Sequence, residues 1–166
     1  MIGQILFGLF YANAGEWLIH KYILHEQGRK KGSIWRFHYS EHHKNCRQNN
    51  FRDTDYESSV FEWNAQGKEA ISLVAIGLVH APLFPVSPFF IGAVWFSLGN
   101  YYYLHKKSHL EPEWGKKNLP WHYDHHMGKD QDKNWCVTFP LFDYIMGTRI
   151  QFDYSNKEKL SVENLA

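Results

Sequence analysis

Two stretches of the chain, Trp35-Arg-Phe-His-Tyr-Ser-Glu-His-His43 and Trp121-His-Tyr-Asp-His-His126, end in the same way. Each contains a tryptophan, then a histidine, and closes on two adjacent histidines. Imidazole is the commonest metal ligand in proteins because it is neutral near pH 7 and offers one lone pair. Residues three or four apart lie on one face of a helix, so the pattern predicts helices that present metal ligands.

A further histidine pair precedes each of these stretches, which extends the similarity between the two halves of the chain. His25 lies thirteen residues before His38, and His109 lies thirteen residues before His122. The segments between them are both basic and both lead to a tryptophan. We interpret this as a degenerate internal repeat in which each half contributes to a shared site with two metal ions.

Ten of the eleven histidines belong to these groups, and we predict all ten as metal ligands: His20, His25, His38, His42, His43, His105, His109, His122, His125 and His126. One tetrahedral site takes four ligands, so ten histidines predict two ions with four to five nitrogen ligands each. Such ligands suit iron, zinc or copper better than magnesium or calcium. No catalytic residue separate from the ligands is predicted.

Helical spacing predicts which of these ligands converge. The pairs 38/42, 105/109 and 122/126 share a helix face, whereas His20 and His25 lie about 140° apart on an ideal α-helix. That pair is therefore expected either to serve different metals or to straddle a helix end. His80, alone between apolar residues before Pro82, is interpreted as a hydrogen-bonded structural histidine.

The apolar residues are concentrated in two parts of a chain whose average composition is mildly polar. Residues 2–24 predict one apolar helix, and residues 70–104, which contain no Asp, Glu, Lys or Arg, predict a hairpin interrupted by prolines. Residues 151–166 form a polar tail. Basic residues follow both apolar parts, so the positive-inside rule predicts that the histidines lie on the cytoplasmic side of a membrane.

Charge and cysteine content exclude several other classes of function. The formal net charge is +1, so no electrostatic argument favours nucleic acid or an acidic partner. Cys46 and Cys136 match no zinc or redox spacing and are interpreted as reduced thiols. No glycine-rich nucleotide loop and no haem attachment sequence is present, so electrons for a redox reaction are expected from a separate ferredoxin, flavoprotein or cytochrome-type partner.

The histidine boxes resemble those of the fatty acid hydroxylase superfamily, which includes sterol desaturases and sphingolipid hydroxylases. The resemblance covers most of residues 15–150 and rests on the stretches 17–25, 35–43 and 122–126, together with Pro140-Leu-Phe-Asp143 and Met146-Gly-Thr148. The chain departs from the family pattern in two ways. Its N-terminal region is shorter than that of most members. In the second box, three residues separate His38 from the paired histidines, where two are also common.

The resemblance implies a single all-α domain over residues 1–166, an integral-membrane protein with a cytosolic, histidine-rich dimetal cap. The implied cofactors are two iron ions, with zinc possible in purified protein. The implied activity is hydroxylation of a fatty acyl, sphingolipid or sterol-type lipid with O₂ and two external electrons. Three carboxylates are predicted to orient the imidazoles through their second nitrogens: Glu16, Glu41 and Asp124.

Three other functions remain open at this point. A carotenoid hydroxylase has a similar four-box design, and residues 16–20 also resemble that group. A lipid desaturase would use the same metals, because abstraction of hydrogen from a second carbon gives an alkene. A membrane protein that binds metal without catalysis is the alternative from a different class.

Overall fold

All regular elements in residues 1–154, the part of the chain that the computed structural model describes, are helices. The α-helices are α1 (Ile2–Leu18), α2 (His43–Gln48), α3 (Ala65–His80), α4 (Pro88–Leu110), α5 (Pro112–Asn118), α6 (Pro120–Met127) and α7 (Leu141–Ile145). Two π-helices (Ile19–Gln27 and Phe37–His42) and two 3₁₀ turns (Thr54–Glu57 and Ala81–Leu83) complete the set. The all-α prediction is confirmed. Most of the predicted polar tail lies outside the described residues.

The first apolar helix is longer than predicted and changes its winding. It begins at Ile2 as α1 and continues from Ile19 as the first π-helix, so it ends at Gln27 rather than at residue 24. A π-helix closes i→i+5 hydrogen bonds and therefore holds more residues in each turn. Within this π-helix, His20 and His25 are buried.

The predicted hairpin is present, with arms that extend beyond the apolar stretch. Asn64 caps α3 through a bond from the Gly67 backbone N–H to its side-chain oxygen (3.0 Å). After the proline-containing turn, α4 begins at Pro88, where a missing N–H costs nothing because the first turn has no intrahelical acceptor for it. Trp95 of α4 donates its indole N–H to the Gly77 carbonyl of α3 (3.1 Å), which joins the two arms.

Helix α4 also packs along α1, and a glycine permits their close approach. A Cβ on Gly8 would lie 2.7 Å from the Ala93 Cβ and 2.8 Å from the Phe90 carbonyl oxygen. At the same place, Phe7 stacks on Phe90 with ring centroids 5.6 Å apart. This pairing fixes the histidine-bearing ends of the two longest helices side by side.

The segment after α6 folds back and packs against α1. The Asn13 amide donates to the Phe139 carbonyl (2.8 Å), and the Trp17 indole donates to the Thr148 hydroxyl (3.0 Å). Trp17 and Trp135 pack together with Cys136 in the core. Both cysteines are buried free thiols.

Among the described residues, no helix combines the length and the apolar character needed to cross a membrane. The predicted transmembrane helix is therefore not supported by the helices of this structure.

Candidate metal centre

The buried histidines form two adjacent clusters. In the first cluster, five imidazoles each offer a nitrogen within 4.8 Å of the others: His20, His25, His38, His43 and His125. The second cluster has four members that meet the same criterion: His42, His105, His109 and His126. His122 adjoins the second cluster, since its Nε2 lies 3.0 Å from that of His109. All ten predicted ligands are thus brought together and buried.

Each half of the chain supplies one histidine to the cluster built mainly by the other half. The first cluster takes its first four members from residues 20–43 and the fifth, His125, from α6. The second takes three members from residues 105–126 and gains His42 from the N-terminal half. His42 and His125 are the first of the two adjacent histidines in their respective boxes, so the exchange is reciprocal. This arrangement supports the predicted internal repeat.

The π-helices explain a ligand grouping that α-helical spacing does not predict. His20 and His25 are five residues apart, as are His38 and His43, and an i→i+5 helix places such residues on one face. Both pairs therefore point into the first cluster. His38 and His42, expected to converge, belong to different clusters. In the second half, His105 and His109 keep the i→i+4 spacing of an ordinary α-helix.

Three imidazoles of the first cluster are held through their Nδ1 atoms by uncharged groups. His20 donates to the Trp135 carbonyl, and His125 donates to the Lys133 carbonyl (2.7 Å). The side-chain amide N–H of Gln131 donates to the Nδ1 of His43 (2.9 Å). All three partners belong to the loop after α6, so that loop fixes the orientation of ligands from three different helices.

In the second cluster the corresponding partners include buried carboxylates. His42 donates to Asp53 and His105 donates to Glu69, both at 2.6 Å. Tyr56 also donates its hydroxyl to Glu69 (2.8 Å), and His109 donates to a backbone carbonyl. Burial alone would raise the pKa of Asp53, but its hydrogen bonds, above all the one from His42, hold that pKa below its ordinary value.

The inward-facing nitrogens make both clusters suitable for metal ions. An imidazole that donates through Nδ1 presents a bare lone pair at Nε2, so two such Nε2 atoms cannot donate to each other. Nevertheless, Nε2 of His105, whose Nδ1 donates to Glu69, lies 3.3 Å from Nε2 of His109, whose Nδ1 donates to the Phe51 carbonyl. The Nε2 of His42 and both ring nitrogens of His126 are buried and have no hydrogen-bond partner. A cation between these lone pairs would satisfy them, and nitrogen ligands suit iron or zinc.

A comparison with protein families agrees with this geometry. The model of the fatty acid hydroxylase family matches residues 5–148. The chain belongs to the fatty acid hydroxylase family. The resemblance inferred from the histidine boxes is thereby confirmed. Neither the curated proteins nor the solved structures gave a significant match. The family implies a lipid hydroxylase or desaturase type of oxygenase, with which the histidine clusters are compatible.

In this chain the three predicted orienting carboxylates have other partners within residues 1–154. Glu16 accepts from the backbone N–H groups of Val137 and Thr138, and burial raises its pKa to about 7. Glu41 is exposed and pairs with a lysine, and Asp124 accepts from an arginine and a tyrosine. Glu16 therefore fixes the loop after α6 rather than an imidazole.

The carboxylates that do contact imidazoles were not identified from the sequence. Asp53 lies just before a short 3₁₀ turn and Glu69 lies in the first turns of α3, each far along the chain from most ligands. Asp132 approaches the Nδ1 of His25 (3.7 Å) but is half exposed and pairs with Arg29. The one sequence signal is that Glu69 is the single acidic residue of α3, whose later turns are mostly apolar.

His80 lies outside both clusters. The Tyr11 hydroxyl lies 2.9 Å from its Nε2, and its Nδ1 donates to the Ile76 carbonyl (2.8 Å). Both ring nitrogens are thus satisfied by ordinary hydrogen bonds. The interpretation of His80 as a structural, hydrogen-bonded histidine agrees with these contacts.

Burial favours the neutral form of most of the clustered histidines. Desolvation is the largest cause of a lowered pKa at nine of them: His20, His25, His38, His42, His43, His109, His122, His125 and His126. Neighbouring imidazoles lower the pKa further, because a second positive charge would lie within a few ångströms of the first. Neutral imidazoles are the form that binds metal.

We expect chelator-treated protein to lose stability steeply as the pH falls from 7 to 5.5. The unfolded histidines take up protons near pH 6.5 while the folded ones stay neutral, so the unfolded state binds more protons and gains stability. Each such histidine contributes about 1 kcal/mol over this interval. Urea unfolding at a series of pH values measures the loss; a free energy of unfolding that stays level between pH 7 and 5.5 would contradict neutral burial.

Proposed function

We propose that this protein is a membrane-attached dinuclear iron oxygenase that hydroxylates a lipid, using O₂ and two electrons from an external donor. The observation that carries the proposal is the pair of adjacent, buried clusters, in each of which the imidazole nitrogens lie within 4.8 Å of one another. Membership of the fatty acid hydroxylase family supplies the substrate class and the oxygenase type of chemistry.

Each cluster would hold one ion through its own imidazoles, and His122 would complete the second. Two iron ions, when bound, supply the reductive activation of O₂ that oxidation of an unactivated C–H bond requires. The chain orients the imidazoles through their Nδ1 partners and keeps bulk water away, since the ligands are 0–2% exposed. Zinc in purified protein would not contradict the proposal, because zinc can displace iron under the usual affinity order.

Membrane attachment is supported by apolar side chains that the fold leaves exposed. Monomeric soluble proteins rarely expose large contiguous apolar patches. Such residues recur along α1, α3 and α4: Ile2, Leu6, Phe7, Phe10, Ile71, Val74, Leu78, Val79, Phe89, Trp95, Phe96 and Tyr103. We propose that these helices lie against or within one leaflet, with the metal centre on the cytoplasmic face, where the positive-inside rule places the basic residues.

A cavity at the turn of the hairpin is separate from the reaction site. It has a volume of about 250 Å³ and is lined by residues of α1 and of the turn, among them Gln4, Phe7 and Phe90. Gln4 and His20 are sixteen residues apart on one continuous helix, which is about 24 Å at 1.5 Å per residue. The reacting carbon must therefore lie at the other end of α1, near the histidines.

The test is comparative lipid mass spectrometry under isotopically labelled O₂. Cells would express the native chain, the His125→Ala variant, which lacks one ligand of the first cluster, and the His80→Ala variant as a matched control. We expect a lipid that gains one labelled oxygen atom with the native chain and with His80→Ala but not with His125→Ala. Each variant must be present in the membrane fraction and supplied with an electron donor.

Other outcomes of this experiment distinguish the remaining functions. A lipid that loses two hydrogen atoms without gaining oxygen would identify a desaturase. A labelled carotenoid in a pigment-producing host would identify the carotenoid hydroxylase. If the native chain binds metal in the membrane and no lipid changes, the protein is a metal-binding membrane protein without this activity, and the proposal fails.

A further inference from the structure

The two clusters differ in the charge placed behind their imidazoles. In the second cluster, Asp53 accepts from His42 and Glu69 accepts from His105, each at 2.6 Å. Asp53 is fully buried and Glu69 is 8% exposed. A carboxylate in such surroundings is little screened by solvent, so its charge acts strongly on the imidazole that it holds.

The first cluster has no comparable buried charge among the described residues. Its Nδ1 partners are two backbone carbonyls and the Gln131 amide. The nearest carboxylate, Asp132, is 3.7 Å from the Nδ1 of His25 and half exposed. Arg29 also pairs with Asp132 at 2.5 Å, so much of its negative charge is already balanced.

A buried carboxylate on Nδ1 strengthens metal binding at Nε2. It fixes the tautomer that exposes the Nε2 lone pair, and it makes the imidazole more basic. It also offsets the positive charge that a divalent ion brings into a medium of low dielectric constant. The second cluster further contains the unpartnered nitrogens of His42 and His126, which an ion would satisfy. In the first cluster the nitrogen without a hydrogen-bond partner is the Nδ1 of His25, which faces Asp132, whereas the Nε2 of His25 contacts the other imidazoles.

We propose that the second cluster binds its ion first and more tightly, and that Asp53 and Glu69 are the positioning residues responsible. This inference rests on the proposed dinuclear centre and adds an order of loading to it. Protein that holds a single ion carries it in the second cluster, and the ion of the first cluster is the one that exchanges readily.

Titration of chelator-treated full-length protein with Zn²⁺, in competition with a chromophoric chelator, measures the two affinities without reference to activity. The native chain is expected to bind two ions in two resolved steps. Glu69→Gln is expected to weaken the tighter step by about 10–100-fold, the usual effect of removing such a partner, and to leave the weaker step unchanged.

Glu69→Gln removes the charge of the side chain and keeps its hydrogen-bonding geometry. Glu69 accepts both of its hydrogen bonds through Oε2, while Oε1 has no partner, so a glutamine can keep the same acceptor and place its amide nitrogen at the free position. Asp53→Asn is the second variant, because it removes the charge behind a different imidazole of the same cluster. Glu41→Gln removes an exposed carboxylate and serves as the matched control, with both steps expected at native affinity.

Double variants assign each step to a cluster. His105→Ala/His109→Ala removes two ligands of the second cluster and should abolish the tighter binding step. His25→Ala/His43→Ala removes two ligands of the first cluster and should abolish the weaker binding step. Two steps of equal affinity, the reverse assignment, or native affinities in both Glu69→Gln and Asp53→Asn would overturn the inference. Absence of stoichiometric binding by the native chain would instead overturn the dinuclear centre of the proposed function.

Discussion

Restoring metal to chelator-treated protein is expected to raise the thermal midpoint of unfolding by roughly 10–20 °C. Ten buried imidazoles lie in or beside the two clusters, and only the folded chain brings them together. An ion that binds the folded state alone at 100 times its dissociation constant stabilises it by about 2.7 kcal/mol, so two ions contribute about 5 kcal/mol. For a domain of this size, 1 kcal/mol shifts the midpoint by about 2–4 °C.

Differential scanning calorimetry of metal-free and reloaded protein, with each sample in the same detergent, measures this shift. His80→Ala, a substitution outside both clusters, should show the same gain on reloading as the native chain. A variant in which His25, His43, His105 and His109 are all alanine should show no gain. An equal gain in that variant would mean that metal stabilises the fold from some other place, and the two-cluster account would be wrong.

Replacing Asp143 with alanine is expected to destabilise the protein by about 3–5 kcal/mol and to reduce metal binding by the first cluster. The buried carboxylate accepts from the backbone N–H groups of Trp135 (2.8 Å) and Cys136 (2.9 Å) and from the Thr148 hydroxyl (2.7 Å). Removal leaves two buried N–H groups unsatisfied, each at a cost of about 1–3 kcal/mol. The same loop orients His20 through the Trp135 carbonyl.

Chemical denaturation gives the stability loss, and metal analysis of the folded variant gives its occupancy. Asp143→Asn keeps one acceptor oxygen at the same position, so its loss of stability should be clearly smaller than that of the alanine variant. Native stability together with two bound ions in Asp143→Ala would show that the loop does not need this carboxylate and does not control the first cluster.

Much of this architecture is predictable from local sequence signals. Three prolines between two apolar runs predict the hairpin, because proline removes a backbone donor and cannot continue a helix. The histidine boxes predict a shared, buried centre, since ten ligands would not gather in one compartment without a metal to bind. The family resemblance follows from the same boxes and is confirmed over residues 5–148.

The assignment of ligands to clusters depends on helix winding, which residue spacing alone left undecided. His20 and His25 lie on opposite sides of an ideal α-helix but on one side of a π-helix. The i+5 spacing at both histidine pairs of the N-terminal half is the sequence signal for that winding. It also explains why His42, next to His43 in sequence, contributes to the other cluster.

The orienting carboxylates were the least predictable part of the site. A prediction from sequence can choose acids close to the ligands along the chain, as it chose Glu16, Glu41 and Asp124. The acids that contact imidazoles come instead from separate elements, a loop before a 3₁₀ turn for Asp53 and the start of α3 for Glu69. Their approach depends on how helices pack, which a single sequence does not specify.

The most direct test of the central claim is the iron content per chain of protein purified without oxygen from iron-supplemented cells. We expect two ions in the native chain, one in His25→Ala/His43→Ala, one in His105→Ala/His109→Ala, and none when all four substitutions are combined. X-ray absorption spectroscopy at the iron edge of the native sample should show nitrogen ligands. A native chain with one ion or none, or two ions retained in either double variant, would contradict a centre built from two histidine clusters.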